Sequence, residues 1–205
     1  FQLTIGGAGE NSASTGVIDV TQSLTISGNG VANTILQGGS TNANGIDKVL
    51  SINPTFTSAF ATSITGVTVR FGRNPSSYAT DGFGGGFDWE GSGTGTLSVA
   101  NSTVNDNHTL DGDGGGITAT NSVAGAGTFT VTNSTISNNS PARAGVVNSP
   151  VGGGIFVGTT TPYLITATTI TGNFVTGSGG QGQGGGLFAF GPGGAGGNSF
   201  LTGST

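Results

Sequence analysis

A repeat of 32 to 36 residues runs through most of this 205-residue chain, and it restricts the fold more than any other feature. The segment LSVANSTVNDNH is echoed by FTVTNSTISNNS, with the same apolar register on both sides of Asn-Ser-Thr. A fixed period of this length is typical of architectures in which each unit packs on the next. Aligned on the last threonine of the motif, the copies are anchored at Thr68, Thr103, Thr135, Thr169 and Thr205.

Each copy consists of short strands. In TFTVT, Phe129 and Val131 share one face of a strand while the threonines share the other. Ile136 is out of phase with Val131, so a corner is expected at Asn133-Ser134. A GGGF, GGGI or GGGL block follows in every copy, and nothing has a helical pattern. We therefore predict one all-β domain over residues 1–205, a parallel β-helix of about six coils.

The recurrent asparagines are predicted to stack along the axis of this β-helix. Asn101 and Asn133 would form a two-rung ladder at one corner, their amides hydrogen-bonding between coils. Asn107, Asn139 and Asn173 would form a longer ladder. Asn-Ser-Thr is also a glycosylation sequon, so glycan attachment is the alternative interpretation. Triple glycines are expected where a turn needs positive φ or where backbones approach closely.

Composition excludes several functions. Only four residues are Lys or Arg and the net charge is -5, so the chain lacks a basic patch for nucleic acid. No apolar run approaches the ~20 residues that cross a bilayer, so membrane insertion is not expected. The absence of Cys excludes disulfides and thiolate metal sites.

The combination of GGGI with NSTISNN or TTITGN resembles bacterial right-handed parallel β-helix proteins that are secreted or exposed on the cell surface. It is similar to the repeat of chlamydial polymorphic outer-membrane proteins, which pairs a Gly-Gly-Ala-Ile type element with a Phe-x-x-Asn element. The opening GVIDVTQSLTISGNGVANTILQGG is similar to β-helix regions of large secreted proteins with CSLREA or choice-of-anchor segments. The resemblance implies an extracellular stalk, adhesive surface or passenger region.

The function predicted from these features is structural or adhesive, without catalysis and without a required cofactor. A carbohydrate-binding or carbohydrate-degrading protein is the alternative, because such enzymes share this fold. Ice or crystal-surface binding is a minor alternative that would need a flat array of threonines. One outward column is rich in threonine, but the column beside it is irregular. The first column is Thr65, Ala100, Thr132, Thr166 and Thr202.

An acidic loop is the candidate metal site. Asp81 and Asp111 each lie three residues before a triple glycine, so neighbouring coils should bring them together, with Asp113 nearby. Carboxylates and backbone carbonyls in this arrangement could bind calcium. The alternatives are a solvated Asp-Gly turn, or a carboxylate pair for glycoside hydrolysis.

Strand alternation also predicts an aromatic contact patch. Phe156, Phe188 and Phe190 would point outward near the end of the repeat, and exposed apolar patches usually mark interaction sites. A cell-surface or polysaccharide ligand is one partner expected for such a molecule. The alternatives are that the GPGGAGG loop covers the rings, or that the strand parity is inverted.

The ends of the sequence suggest open coil edges. Thr205 falls on the anchor position, and neither end has an obvious polar cap of the kind that terminal repeats carry. Unpaired strand edges invite pairing with another strand. We therefore expect either a segment of a longer protein or a subunit that stacks end to end.

Overall fold

The computed structural model describes residues 1–5, 16–77, 81–123, 126–143, 150–158, 161–177, 182–190 and 200–203. Within these ranges the regular structure is strand, and no helix is long and apolar enough to cross a membrane. The strands are β1 (Ile18–Val20), β2 (Leu24–Ser27), β3 (Ile35–Gln37), β4 (Leu50–Ile52), β5 (Ala61–Thr65), β6 (Thr68–Arg70), β7 (Arg73–Asn74), β8 (Phe87–Gly91), β9 (Thr96–Ala100), β10 (Thr103–Asn105), β11 (His108–Thr109), β12 (Ile117–Asn121), β13 (Thr128–Thr132), β14 (Thr135–Ser137), β15 (Ser140–Arg143), β16 (Ile155–Val157), β17 (Tyr163–Thr166), β18 (Thr169–Thr171), β19 (Thr176–Gly177), β20 (Leu187–Ala189) and β21 (Phe200–Thr202).

These strands wind into a β-solenoid with four faces, so the predicted fold class is confirmed. Face 1 contains β1, β4, β8, β12, β16 and β20, and face 2 contains β2, β5, β9, β13, β17 and β21. Face 3 contains β3, β6, β10, β14 and β18, and face 4 contains β7, β11, β15 and β19. Every pairing between successive turns is parallel, as expected when the chain returns to the same face after each circuit.

The solenoid has about five turns, so the predicted count of six coils is one too many. Six successive strands lie on face 1, but they delimit only five circuits of the chain between them. The repeat anchors pair as the alignment requires: Thr103 lies opposite both Thr68 and Thr135, and Thr135 lies opposite Thr169. The sequence period is therefore the length of one turn.

Apolar side chains fill the interior in columns, and each turn contributes one residue to each column. Because side chains alternate between the two sides of a strand, every second residue points inward and meets its equivalents in the turns above and below. Most of these side chains are fully buried. The inward columns include Phe87, Ile117 and Ile155 on face 1, Ile64, Val99, Val131 and Ile165 on face 2, and Val69, Val104 and Ile136 on face 3.

Residues with a left-handed backbone conformation form the corners between faces 2 and 3. Between faces 2 and 3, Gly66, Asn101, Asn133, Ala167 and Gly203 have φ between 47° and 67°. Glycine and asparagine tolerate this conformation, whereas most L-residues are strained in it. The asparagine of Asn-Ser-Thr thus stands where the backbone requires such a residue. Asn133 Nδ2 also donates to Asn101 Oδ1 at 2.7 Å on the exposed side of this corner.

A second asparagine ladder lies inside the solenoid. Asn107 Nδ2 donates to Asn139 Oδ1 at 3.0 Å, and Asn139 Nδ2 donates to Asn173 Oδ1 at 2.9 Å. Each amide also bonds backbone: Asn139 Oδ1 accepts from Asn107 N, and its Nδ2 donates to the carbonyl of Val104. Asn107 and Asn139 are fully buried, so these bonds satisfy polar groups that would be costly to leave unpaired.

The triple glycines make room for this internal ladder. A Cβ at Gly86 would lie 3.0 Å from Asn107 Nδ2, and one at Gly116 would lie 2.9 Å from Asn139 Cγ. Both distances are too short for a side chain to coexist with the amide. In the turn without the asparagine, Gly72 takes the place of the amide and Val49 takes the place of the glycine. A Cβ at Gly72 would lie 1.9 Å from the carbonyl oxygen of Gly85 and 3.1 Å from Val49 Cγ2, so backbone and side chain both crowd this position.

We expect Asn139→Asp to lower the free energy of unfolding by about 3 kcal/mol, because it removes two buried donors and places a charge in the interior. Asn133→Asp is the matched control at the exposed corner and should cost about 1 kcal/mol or less. Denaturant unfolding of both variants measures the difference. Equal losses would show that the internal ladder adds no more stability than the external one.

Ala167→Asn should stabilise the protein by about 1 kcal/mol, because Ala167 is an L-residue with φ of 49° and its neighbour Asn133 can bond a third amide. Ala167→Gly relieves the backbone strain without adding an amide, so it should gain less. The melting temperatures of the two variants test this order. A melting temperature of Ala167→Asn at or below that of the natural chain would contradict the predicted order.

Candidate functional site

Two of the three carboxylates predicted to bind calcium have basic partners in the structure. Asp113 lies opposite Phe83 on the adjacent turn, its Oδ2 accepts from Arg143 Nη2 at 3.1 Å, and its Oδ1 accepts from the backbone N–H of Val151 at 2.9 Å. Asp81 instead bonds Lys48. Asp81 and Asp113 are thus directed to different basic side chains, and calcium binding by Asp81, Asp111 and Asp113 stays a prediction.

A different acidic cluster forms on the outer side of face 1. In the described part of the chain, carboxylate oxygens of Asp81, Asp88 and Glu90 lie within 4.8 Å of one another. Lys48 reaches into this cluster, with Nζ 2.5 Å from Asp81 Oδ1 and 3.2 Å from Asp88 Oδ2. Lys48 and Asp88 are almost fully buried. The ammonium of Lys48 thus lies where these carboxylates could otherwise hold a metal ion.

Burial decides the protonation of the cluster. Together with the neighbouring Asp88 carboxylate, it raises the pKa of Glu90 to about 9. It also raises the pKa of Asp88, although Lys48 opposes the shift, and it raises the pKa of Asp47 to about 6. Burial disfavours the charge on Lys48, but the carboxylates of Asp88 and Asp81 outweigh it and raise the Lys48 pKa. At neutral pH the ammonium is charged and Glu90 carries a proton.

The cluster connects separate turns. Lys48 lies two residues before β4, Asp88 and Glu90 belong to β8 on the next turn, and Asp81 belongs to the loop before the triple glycine. Arg143 and Asp113 make a similar connection one turn further along. Breaking such a buried pair by removing one partner costs about 3–5 kcal/mol. The Lys48 pairs therefore hold the Asp81 loop against face 1, and the Arg143 pair connects the Asp113 loop to face 4.

The aromatic residues predicted to form a contact patch lie on the outer side of face 1 but are not all exposed. Phe156 pairs with Phe188 on the adjacent turn, which is the predicted outward column. The loop residue Phe83 stacks on Phe156 with the ring centroids 6.5 Å apart, and Phe156 is only 7% exposed. Phe188 is half-buried and Phe190 is 43% exposed. The predicted open patch is thus reduced mainly to Phe190, because Phe83 covers the ring that was to be its centre.

Face 4 bears a groove of about 580 Å³, a size typical of small-ligand sites. Arg73 and His108 lie side by side on its floor as partners in adjacent strands, and Ser140 follows on the next turn. Asn42 and the exposed ring of Phe174 also line the groove. The groove therefore combines one cation, an imidazole, amides and an aromatic surface.

The imidazole of His108 is held in one tautomer. Its Nδ1 lies 2.6 Å from the backbone carbonyl oxygen of Ser140, which can only accept a hydrogen bond, so Nδ1 carries the proton. Burial lowers the pKa of His108, and the Arg73 charge adds to this effect, whereas the bond to Ser140 opposes it. The ring is therefore neutral at neutral pH and offers Nε2 as an acceptor.

Comparisons with known protein families, with curated proteins and with solved structures give no match. The function must therefore be inferred from the residues of this chain.

Sequence reasoning missed the Lys48 cluster and the pairing of Arg73 with His108. The basic residues are scattered along the sequence because they occupy different turns, and only the register of strand pairing between turns brings them beside their partners. A signal for Lys48 did exist: Asp47-Lys48-Val49 stands in the turn where later turns have three glycines, since Val49 N bonds Gly86 O. For Arg73 and His108 the signal was weaker, because their strands have only two residues each.

The unfolding free energy of the natural chain should fall as the pH rises from about 7 to 9. The folded state holds the Glu90 proton up to a pKa of about 9, whereas the unfolded state releases it near the ordinary value of 4.5, so the folded state binds more protons in this window. Glu90→Gln cannot titrate and should flatten the slope. Denaturant unfolding at several pH values, in the presence of a chelator, measures it.

Asp106→Asn is the matched control for this experiment, because it removes a carboxylate at a corner where Asn138 occupies the equivalent position in the next turn. It should leave the slope between pH 7 and 9 unchanged. If the unfolding free energies of the natural chain and of Glu90→Gln changed with pH in parallel, Glu90 would not be the buried group that holds the proton.

Proposed function

We propose that this chain is an extracellular structural and adhesive module: a stiff β-solenoid that presents a ligand groove and performs no catalysis. The observation that carries the proposal is that two of its basic side chains are buried in ion pairs. Lys48 and Arg143, two of only four basic residues, are buried in ion pairs: Lys48 joins a loop to face 1, and Arg143 of face 4 pairs with Asp113 in the loop before β12. Most of the buried charge is thus committed to holding successive turns together.

The constant cross-section of the solenoid supports the proposal that it is stiff. The four faces, the corner residues and the internal amides recur from turn to turn, so bending the rod would break several columns together. An extracellular location is supported by the resemblance of the repeat motifs to bacterial surface proteins. A polar exterior rich in Thr, Ser and Asn, on a chain with few basic residues, suits contact with hydrated polysaccharide rather than with lipid or nucleic acid.

Carbohydrate degradation is the second candidate, because the groove contains a neutral histidine. Hydrolysis of a glycoside usually needs two carboxyl groups on opposite sides of the scissile bond. Of the residues that line the described groove, only Asp106 has a carboxylate. The acidic cluster lies on face 1, away from the groove, and two of its carboxylates pair with Lys48. Binding without turnover is therefore the better-supported function.

The experiment measures retention and turnover on the same samples. The chain is incubated with insoluble bacterial and plant cell-wall polysaccharides, and both the bound protein and the soluble sugar products are quantified. We expect retention without release of product above a heat-denatured sample. Release of reducing ends or of unsaturated sugars would contradict the absence of catalysis, and no retention on any polysaccharide would contradict adhesion.

A further inference from the structure

We propose that the groove on face 4 binds a carboxylate-bearing saccharide, with the guanidinium of Arg73 as the group that recognises the carboxylate. This assignment deepens the adhesive function proposed above by naming the ligand class and the residue that selects it. It rests on the charges and hydrogen-bonding groups that converge in the groove.

Arg73 is the basic residue whose side chain has no partner within the described structure. Lys48 bonds Asp81 and Asp88, Arg143 bonds Asp113, and Arg70 donates to Gln37 Oε1 at 3.0 Å while its guanidinium lies over the Phe71 ring. Arg73 is half-buried in the groove without such a contact. A partly desolvated guanidinium favours a planar acceptor, and a carboxylate matches its two parallel N–H donors.

The surroundings of Arg73 indicate that the carboxylate belongs to a sugar. The ring of Phe174 is 52% exposed beside the groove and offers an apolar surface to the C–H face of a pyranose. Asn42 and Asn138 contribute amides that both donate and accept hydrogen bonds, as vicinal hydroxyls require. Neutral His108 supplies an acceptor at Nε2. Sites of this kind combine an apolar surface with a few polar groups that set orientation.

Asp106 distinguishes this ligand from a simple anion. Its carboxylate lines the same groove and accepts a hydrogen bond from Asn105 Nδ2. With His108 neutral, the charges of Arg73 and Asp106 cancel, so the groove has no net attraction for inorganic sulfate or phosphate. A uronic acid can satisfy both residues, because its carboxylate pairs with Arg73 while a hydroxyl donates to Asp106.

Calorimetric titration of the 205-residue chain tests the proposal with short oligogalacturonides and oligomannuronides, which differ in ring stereochemistry. The methyl esters of the same oligosaccharides are the matched neutral ligands. We expect at least one acid to bind about tenfold or more tightly than its ester, because the ester forfeits a charge-assisted bond to Arg73. Sodium sulfate at equal ionic strength should not displace the saccharide.

Arg73→Gln should weaken binding of the acid about tenfold or more and abolish the preference for the acid over the ester. Arg70→Gln is the matched control, since it makes the same charge change three residues away and outside the groove lining. It should bind as the natural chain does. Phe174→Ala changes an exposed ring, so it should fold normally, bind both ligand forms more weakly and keep the preference for the acid.

The outcomes separate this inference from the adhesive function. Equal binding of acid and ester, displacement by sulfate, or unchanged binding by a folded Arg73→Gln variant would overturn the assignment of Arg73 while leaving polysaccharide adhesion intact. Failure to bind any of the saccharides, together with no retention on insoluble polysaccharide, would overturn both. Loss of the acid preference in Arg73→Gln but not in Arg70→Gln would establish the assignment.

Discussion

The solenoid depends on a steric constraint between its internal amides and the wall opposite them. At the level of the asparagine ladder the interior is too narrow for two side chains, so Asn107 and Asn139 face Gly86 and Gly116. The amides cross this narrow space and bond both to one another and to backbone carbonyls. The glycine runs are thus required beside the buried row of amides.

The buried ion pairs stabilise the parts of the chain that the ladders do not reach. The loops before the triple glycines differ in sequence from turn to turn, and in the described residues they pair only through isolated bridges such as Phe83 with Asp113. They are held instead by long-range contacts such as Lys48 with Asp81, or by aromatic stacking such as Phe83 on Phe156. A chain with only 6% charged residues thus uses its few charges where its repeat is irregular.

This division explains which features could be predicted. The period, the parallel stacking and the positions of the recurring asparagines followed from the sequence, because each repeated residue occupies the same environment in every turn. The chain makes about five turns rather than six, because the six strand levels of face 1 delimit five circuits. The ion pairs of Lys48 with Asp81 and of Arg143 with Asp113 could not be predicted, because Asp81 and Asp113 lie in loops that do not repeat. Such contacts have no periodic signal, and only the register of the folded chain reveals them.

The uniform pairing between turns also affects how such a gene can change. Each turn presents nearly the same hydrogen-bonding edge and the same columns to both neighbours, so duplication or loss of one complete turn leaves compatible surfaces in contact. Loss of a single strand would instead shift all later residues to the wrong face. Length can therefore evolve in steps of one circuit, each altering the rod by the ordinary strand spacing of about 4.8 Å. The irregular loops would diverge independently, so reach and recognition could be selected separately.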